Sequence, residues 1–117
     1  MKGLAKMAGT FLLAVAPAAL AAQNLPTRVA ARQLVAICDE NRAACLTYVM
    51  GAIDGVVAAT IVAGRPNPLC LPQNVNNQQI ADAAANYLRT HPEDANNNAA
   101  TVVIVGLRRV YPCPPAG

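Results

Sequence analysis

The sequence predicts an all-α fold, a small disulfide-stapled bundle of about four helices after a signal peptide. Three observations lead there. Apolar residues recur at three- and four-residue intervals in four separate segments, the pattern of helices with one buried face. Clusters of Pro, Gly and Asn punctuate those segments, and the one strand-like run, TVVIV, has no second strand to pair with. Four cysteines, an even number, fall in a short chain with an export-like start.

Residues 1–21 have a basic beginning (Lys2, Lys6), an apolar run from Met7 to Leu20 and the small-x-small triplet Ala19-Leu20-Ala21. This is the layout of a secretory signal peptide cleaved after Ala21, which leaves residues 22–117 as a single domain. Pro17 interrupts a run already short for spanning a bilayer, and no cysteine follows it to carry a lipid. With both lysines gone, seven arginines face six acids, so no basic stripe marks a nucleic-acid binder. Large aromatics are scarce: beyond the signal only Tyr48, Tyr87 and Tyr111 remain. The core is therefore built from Ala, Val, Leu and Ile, buries little area per residue and profits from covalent staples.

The first helix is expected from Thr27, as a cap after Pro26, to about Cys38, with Leu34, Val35 and Cys38 on one side. Asp39 to Asn41 break and recap the chain. The second helix is expected over about 42–63, with Leu46, Val49, Met50, Ile53, Val56, Val57, Thr60 and Ile61 facing the core, ended by GRPNP. Gly51 and Gly55 within it predict the close approach of another helix. A membrane span of this length is opposed by Asp54 at its centre. Buried, Asp54 needs a donor, and Tyr48 lies about 120° away round the helix, so the two do not pair. The third helix is expected over about 76–90, with Ile80, Ala83, Ala84, Tyr87 and Leu88 inward. The fourth, about 97–111, turns Ala99, Val102, Val103, Gly106, Leu107 and Val110 to one face.

Short connections favour an up-down order. The end of helix one then lies near the start of helix two, and the start of helix three near the end of helix four. Hence Cys38 pairs with Cys45 and Cys70 with Cys113. In one continuous helix seven residues rise about 10 Å, too far for a bridge, so the first pair requires the break at 39–41. The second closes the longer loop and is worth about 3–4 kcal/mol in the chain-entropy picture.

Catalytic chemistry finds little support. The chain has no serine, its cysteines are better explained as bridges, and His91 precedes Pro92 at a helix end. The acid pairs Asp39-Glu40 and Glu93-Asp94 sit at helix boundaries, and the cysteine spacing does not suit zinc. An enzyme, a metal and a cofactor are not expected.

Several fragments together resemble one family. CLTYVMGAIDG (Cys45 to Gly55), CLP at Cys70 before a Gln-rich helix start, NYLRTHPE (Asn86 to Glu93) and the terminal VYPCP are similar to the Rap/Tai immunity proteins, in the family's order from Cys38 to Pro114. The motif positions Tyr48, Gly51, Asp54, Gly55, Tyr87, Leu88, His91, Pro92, Tyr111 and Pro112 read as structural. The family usually has alanine at the position of Gly106. The resemblance implies a periplasmic, often dimeric helical protein that binds a type VI secretion amidase effector and blocks the cleft where peptidoglycan peptides are cut. Its partner is then a protein, with no nucleic acid and no membrane after signal cleavage. Loops carry recognition more often than helix cores. That places partner binding at Arg65 and Asn67 after helix two, and at Glu93, Asp94, Asn96, Asn97 and Asn98 after helix three. Two other classes compete: an HdeA-like periplasmic acid-stress chaperone and an orphan structural envelope protein.

Overall fold

Backbone capping sets the helix limits. The computed structural model describes residues 28–115, together with the isolated Gly9. The signal-peptide reading and the Thr27 cap lie outside the described residues, Gly9 apart. Helix α1 spans Ala31–Glu40, α2 Arg42–Val62, α3 Asn77–Thr90 and α4 Ala99–Val110, with a 3-10 turn at Pro92–Asp94.

Helix α1 begins four residues later than its periodicity predicts, because residues 29–32 are engaged with the chain entering α4. Ala30 forms an antiparallel bridge with Asn98. The Ala31 and Arg32 N–H groups donate to the carbonyls of Asn97 and Ala95, each at 2.9 Å, and Ala99 N–H donates to Val29 O at 2.9 Å. Ala30 is extended, with φ −81° and ψ 156°, so the helix cannot start before it. The orphan donors of its first turn are thus met by tertiary contacts.

The predicted break falls at Asn41, which is extended (φ −146°, ψ 100°) and whose side chain accepts from Ala44 N–H at 2.9 Å. The break brings Cys38 and Cys45 to a Cα separation of 4.6 Å, where their disulfide forms. Gly64, at φ +65°, ends α2: its N–H donates to Ile61 O and that of Arg65 to Thr60 O, closing the last turn. At α3, Asn76 and Gln79 cap each other's backbone N–H at 2.8 Å. Asn98 caps α4 by accepting from Thr101 N–H at 3.0 Å, and TVVIV is helical.

Each of the four helices contacts the other three. The centre is Leu34, Val49, Val103 and Leu107, filled out by Ala81, Ala84, Ala85 and Ala99. Cys70 and Cys113 bridge at a Cα separation of 5.1 Å and tie the α2–α3 loop to the segment after α4. Both predicted pairings are present.

Helix α2 departs from expectation in its second half. Only Cys45 and Val49 are buried; Leu46, Met50, Ile53 and Val56 are half-buried, while Ile61 is 71% and Val62 89% exposed. The reason is length: 21 residues extend about 31 Å, against about 21 Å for the 14 of α3 and 15 Å for the 10 of α1. Helix α2 outruns its neighbours. Among the described residues, Gly51 and Gly55 accordingly have nothing within 4 Å of where a Cβ would stand, so the close helix approach they predict is not made. Asp54 is exposed, with no hydrogen-bond or ion-pair partner among the described residues, so it is not a buried anchor. By length and composition α2 could also cross a membrane. Val110, expected inward, is exposed as well.

Candidate functional site

The motif residues of α3 form one packed chain of contacts. Tyr87 is 5% exposed and lies against α4 where residue 106 is glycine. A Cβ at Gly106 would stand 2.5 Å from Tyr87 Cδ1, so the ring occupies space that only glycine leaves. His91 stacks on the same ring, centroid to centroid 3.7 Å, and its Nδ1–H donates to Tyr87 O at 2.8 Å. Arg109 Nη1 donates to Tyr87 Oη at 2.7 Å. Leu88 is buried beside them, while Pro92 opens the 3-10 turn. Tyr48 is half-buried between α2 and the start of α4. Burial pushes its phenol above the ordinary tyrosine value, and the Ala100 backbone opposes the shift. The contacts of Tyr87, Leu88, His91 and Tyr48 are contacts of packing and positioning. Tyr111 is half-buried against the core, and Pro112 is exposed.

The two predicted recognition loops sit at opposite ends of α4, about 18 Å apart by helix rise. In the first, Arg65 is exposed, while Asn67 accepts from Leu69 N–H at 2.9 Å and shapes its own loop. In the second, most side chains hold structure. Asp94 accepts from Asn97, Asn96 accepts from Arg32, Asn97 O receives α1, and Asn98 caps α4. Glu93 is exposed.

Near the Cys38–Cys45 bridge, Arg42 pairs with Asp82 at 2.6 Å and Arg89 with Asp39 at 2.8 Å. The Arg42 guanidinium and the Gln78 amide hold the Asp82 carboxyl below its ordinary range. Both pairs are exposed and contribute little to stability. Among the described residues, no three of His, Cys, Asp and Glu come together as metal ligands.

Reasoning from loops alone misses the surface between α2 and α4. A mostly apolar groove of about 370 Å³ runs there, between Ala52, Gly55 and Val56 on one side and Ala100, Thr101, Ile104 and Val105 on the other. Beyond Val105 it meets a second hollow of about 390 Å³ walled by Arg108, Arg109 and Pro112. The sequence does carry signals of it: an Arg-Arg pair closing a helix without acids, and a glycine on a helix flank.

The sequence profile of the Rap1a immunity proteins matches residues 30–113, from the bridge that opens α1 to the cysteine after α4. The chain belongs to the Rap1a immunity protein family. No curated protein and no solved structure matches it. As a Rap1a immunity protein it acts against a secreted effector, which it meets as a protein partner, and the family is generally non-catalytic. Its two disulfides fit an oxidising compartment.

Proposed function

We propose that this Rap1a protein is a periplasmic immunity protein that binds a type VI secretion peptidoglycan amidase and occludes its cleft. The observation that carries the reading is the family match across residues 30–113, which contains both disulfides. Steric occlusion asks for a stiff shape and for no reactive group. A bundle with two staples and a fully packed centre supplies the shape. Export through residues 1–21 and pairing into a homodimer complete the proposal, with the exposed tip of α2 at Ile61 and Val62 as the surface on which two copies meet.

The test is a rescue assay. A panel of peptidoglycan amidases is directed to the periplasm of a sensitive host, with and without this chain. Survival with one amidase, together with a stable complex on gel filtration, is the expected result. Lysis with every amidase despite soluble, oxidised protein overturns the amidase assignment. Light scattering at varied concentration reads the dimer, and a constant monomer mass refutes that part.

A further inference from the structure

We propose that the groove between α2 and α4 is a docking site for a segment of the protein effector in which apolar side chains are followed by a carboxylate. This rests on the reading of the chain as an effector-binding protein and names the surface and the chemistry of the contact.

Two observations meet at one residue. The apolar part of the groove, about 370 Å³, is lined by Gly55 and walled by Val56 and Ile104, with no charged side chain along it. The cationic part, about 390 Å³, holds Arg108 and Arg109. Val105 lines both, so the apolar groove and the basic hollow adjoin at that residue. Among the described residues, nothing lies within 4 Å of the Gly55 Cβ position, which leaves the apolar part open to a close-lying partner backbone.

The basic end is set up for a carboxylate from outside the chain. Arg42 and Arg89 each have an aspartate, whereas Arg108 and Arg109 make no ion pair among the described residues, and α4 contains no acid. Arg109 is also oriented, because the buried Tyr87 hydroxyl fixes one of its nitrogens and leaves the rest of the fork free. A planar guanidinium of this kind takes a carboxylate in two parallel hydrogen bonds.

Charge also argues against a second copy as the occupant. The only carboxylate on α2 is Asp54, about 160° round the helix from Ala52 and so turned away from the groove. A second copy laid into the groove would bring two more arginines and no acid on the matching face. An acidic partner segment complements it.

The experiment pans a random twelve-residue peptide library against the full chain with both disulfides formed, then measures binding of the enriched peptides. Enrichment of apolar residues followed by Asp or Glu is expected. Gly55→Leu, which fills the groove from an open helix position, should weaken binding at least tenfold. Arg108→Glu should weaken it about tenfold and flatten its salt dependence. Gly51→Leu, equally open but outside the groove, should leave binding unchanged, and circular dichroism should show all three variants folded. Three results overturn the proposal: no enriched sequence, peptides that bind Gly55→Leu as well as the parent, or self-association abolished by Gly55→Leu. The fate of the effector reading stays separate. Rescue from an amidase that Gly55→Leu leaves intact sinks the groove alone, while peptide binding without any rescue sinks the amidase alone.

Discussion

Gly106 shows how one missing carbon can organise a surface. By lying over it, the Tyr87 ring comes within reach of both His91 and Arg109. Gly106→Ala should therefore destabilise the protein by about 1–3 kcal/mol from overpacking, less up to about 1 kcal/mol of gained helix propensity. A urea titration reads the difference, and an unchanged or raised midpoint would mean that the ring moves aside freely. In the sequence this glycine is only a departure from a usual alanine, because the contact joins two residues nineteen positions apart on different helices. The burial of Tyr87 and Leu88 is legible in the apolar stripe of α3, whereas the exposure of Asp54 is not: its place in an apolar run implies burial, and only the lengths of neighbouring helices reveal that it faces water. Asp82 supplies a pH prediction. Its folded value lies below its unfolded one, so its stabilisation is present above about pH 4 and fades as pH falls through the folded value. Asp82→Asn should remove that small acid slope from a plot of urea midpoint against pH. The helical signal itself should survive at about pH 3, where an acid-activated chaperone would unfold.

At the scale of elements, α2 separates what periodicity can and cannot say. The three-and-four spacing from Leu46 to Ile61 identifies a face, and half of that face is packed. Where the packing stops depends on how far α1 and α3 reach, which is set by Asn41, Asn76 and His91 at their ends. The caps are legible one by one, but their combined effect on burial is not. The open flank makes a clear prediction. Gly51→Ala and Gly55→Ala should each raise stability by about 0.5–1 kcal/mol, since the added methyl meets nothing and the helix gains propensity. Thermal melts check this, and a loss of stability at either site would reveal a contact that the monomer does not show. Replacing Ile61 or Val62 with a charged residue should change the fold's stability by less than about 0.5 kcal/mol. It should, however, shift the concentration dependence of the molecular mass if two copies meet there.

In the whole molecule the two disulfides act on different distances. Cys38–Cys45 spans seven positions and Cys70–Cys113 forty-three, so their loss should cost about 2.5 and about 4 kcal/mol in the chain-entropy picture. Paired Cys-to-Ala variants compared by urea denaturation test that order, and a larger loss from the short loop would show that residual structure in the unfolded chain outweighs loop entropy. Both bridges are readable from helix order: the first crosses the turn between consecutive helices, and the second joins two ends that an up-down order places at one pole. The α2–α4 groove is not readable that way, since its walls come from two helices far apart in the chain. Helix α2 also overhangs its neighbours. This overhang has a consequence for how the family can change. Gly51 and Gly55 on the free flank of α2 touch no other element among the described residues, so substitutions there alter the outer contour while the centre stays as it is. A lineage facing a new toxin could thus revise its fit at Gly51 or Gly55 without first finding compensating changes in the core.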